Sequence, residues 1–500
     1  MPLHPDAAAP PPAGPAVRRG ALPPAAGRRQ LPYPPESGHV AGTRRGLRQP
    51  DLSHLRHTDV NQPHRTLPAG RDWVDVEAGT AARAIFTDQA IWQLEQERVF
   101  ARSWLFLAHA SELPQPGDYV TRQLSNDPVL VVRGEDGTVR AFHNSCPHRG
   151  TQLCRADAGN ARTFRCPYHG WVFGLEGELK QAAYPPEIAT LIGAVGDDLI
   201  AMPKVAEYAG LIFGSWDPDA PSLDDYLGDS RFYIDLFANR SPAGMEVLGP
   251  PQRWVFNANW KLGALNFGAD GPHAASVHGP ITYLTLSVPQ DVVVQQLMHS
   301  PAVDIGKGHS CIFLELPPEA PDYAGFSPQL VPHYQRTLNA AQQRFMARGL
   351  TKVMTNFPNT SWVESSVRFD GTSAPVPFCN LRTWQPLGAQ QTEVWNWLLI
   401  EKEAAEEFKQ ASYEIGIRTF SVGGTFDQDD AEAWAAINRG CRGTIGARYP
   451  VDFRGTRYYR DKPIADFHGP GTAYPSTYSE MSEFALLIHW QRVMQGKETS

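Results

Sequence analysis

Two short segments carry side chains that can hold a metal cluster. Cys146-Pro-His148-Arg-Gly150 is one, and Cys166-Pro-Tyr-His169-Gly-Trp171 is the other, with seventeen residues between His148 and Cys166. Each clip supplies one thiolate and one imidazole, ligands that suit zinc or iron–sulfur chemistry. A mixed-ligand [2Fe–2S] centre takes two Cys on one iron and two His on the other. The two loops must then sit face to face at the tip of a β scaffold. Gly150 and Gly170 come just after the His residues, where tight turns would bring loop amides near the sulfides. A Cys₂His₂ zinc site uses the same ligand types, but the Cys-x-His clip followed by Arg-Gly argues for the iron–sulfur reading.

Such a cluster only moves electrons, so a destination is needed. Asn259-Trp260-Lys261 leads into Asn266-Phe267-Gly-Ala-Asp270-Gly-Pro-His273-Ala-Ala-Ser-Val-His278. Two His and one carboxylate on one side of an iron leave its other positions open for oxygen and substrate. His273 and His278 are five residues apart, about 140° off a common face on an ideal helix. A break would help them converge, and Gly271-Pro272 is the local candidate. Asp270 precedes His273 by three residues, so its carboxylate can face an imidazole N–H and orient the ring.

The elements that must position these residues are of mixed type. Ala81–Arg102 reads as a helix with Ile85, Ile91, Trp92, Leu94 and Phe100 on its apolar face. From Leu105 the texture changes to short strands broken by turns, such as Pro128–Arg133, a turn at Gly134–Gly137, and Thr138–Phe142. Beyond about Ser222, Glu246–Trp260, Cys311–Leu316, Phe378–Trp384 and Thr392–Glu401 read as strands. Tyr334–Arg348, Ala404–Phe420 and Ala431–Arg439 read as helices. Strands and helices do not alternate regularly, so the expected class is α+β rather than a doubly wound sheet.

Composition bounds the rest. The chain has 500 residues, 42% of them hydrophobic and 20% charged, as in a core-forming globular protein. Its net charge of −8 speaks against a nucleic-acid binder, and no apolar run is long enough for a membrane span. Residues 1–70 carry nine Arg, no Lys and four acids, a net of +5, so the remaining 430 carry −13. Pro- and Ala-rich runs there have no hydrophobic period, and residues 1–66 read as a disordered extension, a dispensable tail rather than an RNA-binding arm. Six cysteines are too few for a disulfide scaffold. Cys154, Cys311, Cys379 and Cys441 form no evident framework, which fits a reducing cytoplasm.

The two Cys/His clips resemble the Rieske domain of aromatic-ring-hydroxylating dioxygenase large (α) subunits. Respiratory-type Rieske proteins carry an extra cysteine in each loop, where this chain has Thr151 and Tyr168. The resemblance covers roughly residues 70–495. It implies an all-β Rieske domain (105–222) and a larger helix-grip-like catalytic domain (223–500), with an antiparallel sheet flanked by helices and residues 67–104 as its N-terminal helical part. It implies that Cys146, His148, Cys166 and His169 hold a [2Fe–2S] cluster, and that His273, His278 and a carboxylate hold mononuclear Fe(II). The carboxylate maps to Asp430, the second of a paired Asp in Phe426-Asp-Gln-Asp-Asp430, with Asp427 and Asp429 as competitors. Phe267, Phe420 and Phe426 match substrate-pocket positions, and Asn266 belongs to the same segment. By the same resemblance, Asp270 would bridge His273 to a neighbour's His169, and Glu480 would meet a neighbour's His148, which requires a ring of subunits.

The resemblance further implies a terminal oxygenase component that adds both atoms of O₂ to an aromatic ring. Electrons from NAD(P)H would arrive through a separate ferredoxin or reductase, since no Gly-x-Gly-x-x-Gly fingerprint is present. The assembly would be a homotrimer or α₃β₃ with a small β subunit. A Rieske monooxygenase or demethylase uses the same metals, and a catalytically inactive electron-transfer subunit is a third reading. The chain departs from the family in two places: Leu265 stands where Glu is common, and Pro272 where Tyr is common. Apolar pocket candidates favour a mono- or polycyclic arene over a carboxylate, which would want a placed cation such as Arg368 or Arg382.

Overall fold

The computed structural model describes residues 72–182, 184, 197–286, 289–316, 318–369 and 374–498. The expected extension over 1–66 lies outside the described residues. No helix among them is long and apolar enough to cross a membrane.

The cluster loops hang from small antiparallel sheets. Val139–His143, Asp127–Arg133, Asp118–Leu124 and Ala158–Asn160 form one sheet in that order, and Leu179–Gln181, Val172–Phe173 and Phe164–Arg165 form another. Val129 to Val132 are all fully buried. Successive side chains of a strand point to opposite faces, and here both faces are used. Leu130 and Val132 pack with Phe142, Cys146, Cys166 and Trp171. Val129 and Val131 instead join the core that includes Ile85, Phe86, Val99 and Leu105.

The larger part is built on one antiparallel sheet. Its strands are β1 (Met245–Val247), β2 (Gln252–Phe256), β3 (Ala302–Gly306), β4 (His309–Glu315), β5 (Gly349–Asn356), β6 (Thr360–Val367), β7 (Val376–Gly388), β8 (Gln391–Glu401) and β9 (Thr472–Tyr474). They run in the order β1-β8-β7-β6-β5-β4-β3-β9, with β2 also paired to β8. The helices that matter for the site are α1 (Trp260–Ala269), α2 (Gly271–Ser276), α3 (Gly279–Leu286), α4 (Gln290–Met298), α5 (Glu406–Thr419), α6 (Thr425–Arg442) and α7 (Met481–Met494). Helix α1 packs across β4 to β7, α5 on β7 and β8, and α7 on β3, β4 and α1. The architecture is α+β, as expected.

Three elements differ from the sequence expectation, each for a local reason. The segment 81–102 is not one helix: Ala81 pairs with Val74 in a strand, and the α-helix begins only after Asp88, whose carboxylate accepts the Ala90 N–H at 2.7 Å. The run 246–260 is split by Gly249-Pro250-Pro251, where proline offers no N–H to a ladder. The run 334–348 breaks at Asn339, which caps a new helix through the N–H groups of Ala341 and Gln342, both at 3.0 Å.

Helix α1 starts at Asn259-Trp260-Lys261. The Lys261 N–H donates to Asn259 Oδ1 at 3.1 Å, and Asn259 Nδ2 donates to the Ala389 carbonyl at 2.7 Å. Buried Lys261 meets Glu95 at 2.5 Å, and Glu95 also accepts from the indoles of Trp260 and Trp490. An Asn259→Ala variant removes the cap and is expected to lower stability by about 1–2 kcal/mol, read as a shift in the urea midpoint with an unchanged cluster absorption spectrum.

Candidate active site

The two cluster loops repeat one local structure. The Cys146 N–H donates to the Thr151 carbonyl and the Gly150 N–H to the Cys146 carbonyl, both at 2.8 Å. The Cys166 N–H donates to Trp171 at 2.7 Å and the Gly170 N–H to Cys166 at 3.1 Å. Gly150 (φ +70°) and Gly170 (φ +72°) occupy the left-handed region that closes each turn. Both cysteines are buried, while both histidines are half-buried with ring centroids 4.6 Å apart. Burial pushes the Cys146 thiol up, the N–H of His148 pulls the other way, and Cys166 beside it adds to the rise. Two sulfurs inside and two imidazoles outside is the division of ligands a Rieske cluster needs. Trp171 stacks on His148 (4.8 Å, 3°), and the Tyr184 hydroxyl lies 3.1 Å from His148 Nε2, which leaves Nδ1 for a metal. None of the six cysteines forms a disulfide.

The second site is made by two helix breaks. Helix α1 stops at Asp270 (φ −75°, ψ +85°), which then caps α2 by accepting the His273 N–H at 3.2 Å. Pro272 sits in the first turn of α2, where its missing N–H costs nothing. A Cβ on Gly271 would lie 1.9 Å from Thr477 Oγ1, so this joint requires glycine. His278 occupies the next joint, between α2 and α3. The two rings end 5.1 Å apart at 79°. Asp430, from α6, places Oδ1 3.1 Å from His278 Nε2 and 3.8 Å from His273 Nε2. One ligand atom from each of the three lies within 4.8 Å of the others.

Asp430 Oδ2 is buried and has no hydrogen-bond partner among the described residues. A bare buried carboxylate oxygen is costly, and a cation held between it and the two imidazoles removes that cost. The donor set and its geometry therefore fit a 2-His-1-carboxylate iron. The other two acids are engaged elsewhere: Asp429 faces solvent, and Asp427 is paired with Arg382.

His273 is oriented from behind. Its Nδ1 makes a short hydrogen bond to the Asp270 main-chain carbonyl, and the Asp270 carboxylate lies 3.6 Å away. Burial opposes it, yet the Asp270 carboxylate lifts the His273 imidazole to about 9. Asn266 Nδ2 lies 3.2 Å from His273 Nε2. Glu480 adopts a left-handed backbone (φ +56°), and burial, with Asp452 adding, pushes its carboxyl up to about 7. Burial, with Asp270 and Glu480 adding, also pushes the Glu483 carboxyl well up. Leu265, at the other departure from the family pattern, is buried in the main core, where a carboxylate would need a partner.

A cavity of about 160 Å³ opens onto the triad. Phe267, Phe420 and Phe426 all line it, with Phe420 and Phe426 stacked at 5.2 Å and Phe426 against His278 at 4.9 Å. Among the described residues, no Lys or Arg lines it. Arg382 lies behind the wall, fully buried, bonded to Asp427 at 2.7 and 3.3 Å and placed over the rings of Phe267 (4.7 Å) and Phe420 (5.2 Å). Arg382 is therefore committed to Asp427 and is no anchor for a substrate carboxylate; Arg368 does not line the cavity. Asn380 and Asn396 both donate to the Phe420 carbonyl at 3.1 Å, and Asn396 accepts from Arg382.

Sequence reasoning missed this clamp and most of the cavity wall. Thr351, Val353, Val363, Ser365 and Val367 line the cavity. Their period of two, alternating with buried Lys352 and Glu364 on the other face, was a readable signal. The wall from α4 (Val293, Gln296, Leu297) follows the i, i+3, i+4 spacing of one helix face.

This fold and site define a two-metal oxygenase of the Rieske type. Residues 103–192 match the Rieske [2Fe-2S] domain, and residues 223–486 match the ring hydroxylating alpha subunit catalytic domain. The biphenyl dioxygenase α subunit of Metapseudomonas furukawaii is 34% identical over 86% of this chain and 94% of its own. The benzene 1,2-dioxygenase α subunit of Pseudomonas putida is 35% identical over 85% and 93%. The crystal structure of naphthalene 1,2-dioxygenase from Rhodococcus sp. bound to indole superposes with a TM-score of 0.79 at 39% identity, covering 84% of this chain and 95% of that one. The chain belongs to the ring-hydroxylating α-subunit family: it is an oxidoreductase with a Rieske [2Fe–2S] domain and a mononuclear-iron catalytic domain.

Replacing Arg382 by Met strands the buried Asp427 and is expected to cost about 3–5 kcal/mol, whereas the double variant Arg382→Met/Asp427→Leu recovers much of that. Chemical denaturation of the three proteins checks it.

Proposed function

We propose that this chain is the terminal oxygenase component of a system that cis-dihydroxylates an aromatic hydrocarbon, with Cys146, His148, Cys166 and His169 as cluster ligands and His273, His278 and Asp430 as iron ligands. One observation carries the reading: an apolar, aromatic-lined cavity, with no Lys or Arg among its described lining residues, opens onto the triad. The iron would supply dioxygen activation. The protein's part is positioning. Phe267, Phe420 and Phe426 hold a flat apolar ring beside the triad, the aliphatic strand residues exclude water, and Asp270 fixes the His273 ring through Nδ1 and leaves Nε2 for the iron.

Electrons would enter at His148 and His169 from a separate ferredoxin or reductase that draws on NAD(P)H. They would pass from a neighbour's His169 through Asp270 to His273, with Glu480 against the neighbour's His148, in a homotrimer or an α₃β₃ ring in the cytoplasm. Asp270 supports this role because its side chain is one-third exposed while its main chain holds the imidazole. Leu265 and Pro272 do not require an inactive subunit: one is absorbed by the core, the other suits a helix start.

A second reading, oxidative N-demethylation, is favoured by one relative. The N,N-dimethyl phenylurea N-demethylase α subunit of a Sphingobium strain is 30% identical over 84% of this chain. Parallel turnover of naphthalene and of an N,N-dimethyl phenylurea under ¹⁸O₂ separates the two, because demethylation releases a methyl group as formaldehyde and has no such group to act on in naphthalene. Dioxygenation places both labelled atoms in the diol, and a product with a single labelled atom overturns it. Iron analysis should find about three irons per chain, two in the cluster and one in the triad. Asp430→Ala should bring this to about two with the cluster spectrum intact; unchanged iron content would reject Asp430 as a ligand.

A further inference from the structure

The cavity wall on β4 to β7 is arranged in ranks. Ile312, Val353 and Val363 stand opposite one another across three strands, and Ala269 at the end of α1 packs on the first two, so this rank borders the triad. Two residues further along, about 7 Å away, the next rank is Leu314, Thr351, Ser365 and Phe378. All of these side chains except Ala269 line the cavity. The second rank is thus polar at its centre, and the Thr351 and Ser365 hydroxyls are 2.7 Å apart.

Each hydroxyl has one hydrogen and two lone pairs. Whichever of the two donates to the other, the second hydrogen finds no partner among the described residues. Gln296 reaches the same level from α4: its Nε2 donates to the carbonyl of Glu315, next to Leu314, at 2.5 Å, and its side chain lines the cavity. Packing alone gives no reason for hydroxyls here, since Val at 351 and Ala at 365 would nearly preserve the shape.

We propose that Thr351 and Ser365, assisted by Gln296, anchor a hydrogen-bonding heteroatom on the far end of the aromatic substrate. The favoured substrates are then arenes bearing a hydroxyl, carbonyl or ring N–H on the side away from the attacked bond. This rests on the reading of the cavity as an arene site. Because the two hydroxyls already satisfy each other in part, a bare arene is accepted too, and the preference is modest rather than absolute. A neutral hydrogen bond of about 1 kcal/mol corresponds to about fivefold in affinity.

The test is calorimetric binding of 2-naphthol and naphthalene to the metal-loaded enzyme, without reductant so that no turnover occurs. The wild type should bind 2-naphthol about fivefold more tightly, and Thr351→Val/Ser365→Ala should abolish that preference, bringing 2-naphthol to the level of naphthalene in the same variant. Ser365→Ala alone, with the same readout, serves if the double variant does not fold. Equal binding of both probes to the wild type overturns the anchor alone. Equal weakening of both probes in the variants also overturns it, because that is a packing effect. Failure of the wild type to bind either probe overturns the arene-site reading with it.

Discussion

A charge buried away from water must meet its opposite, and the Arg382–Asp427 pair imposes that requirement on the centre of the catalytic domain. Asp427 lies one helical turn before Asp430 on α6, so the pair holds the start of that helix against β7. The guanidinium lies over Phe267 and Phe420 and, through Asn396, is linked to the main chain of Phe420. One ion pair therefore sets the position of a metal-site carboxylate and of two aromatic walls together. The open side of the triad faces the cavity because these parts cannot shift separately.

The metal-site histidines reach their places by a different device. A continuous helix would hold His273 and His278 on divergent faces. The break at Val277–His278, which lies between the two histidines, turns a linear spacing into convergence, while the earlier break at Asp270 orients the short helix that carries His273, and Gly271 lets that joint lie on Thr477. Pro272 fits the same device, because a proline in the first turn stiffens the helix start without breaking it.

Legibility followed the range of the interactions. The cluster loops were legible because their hydrogen bonds close within five residues, so spacing and structure are nearly the same statement. The two histidines were legible for the same reason, but the break that lets them converge lies at Val277–His278, beyond the Gly271-Pro272 joint that the sequence points to, because a joint before both rings cannot change the angle between them. Asp430 stood among three acids in four residues, since sequence does not say that Asp427 turns to a buried arginine and Asp429 to water. The long helix expected over 81–102 failed because Ala81 is claimed by a strand partner, a tertiary demand that periodicity does not report. Thr351 and Ser365 were missed, and Arg382 was read as a possible cation for a substrate rather than as the partner of Asp427, because their meaning depends on register across strands far apart in the chain.

The strand Val129–Val132 has one row of side chains in the core of the cluster loops and the other in the core shared with residues 73–107 and the catalytic helices. The cluster-bearing half is consequently not a detachable module. Excised at a linker, it would present a row of bare valines to water and would tend to associate through them. Exchange of this half between relatives would have to carry the N-terminal segment along, and the unit of inheritance for electron delivery is larger than the loops that bind the irons.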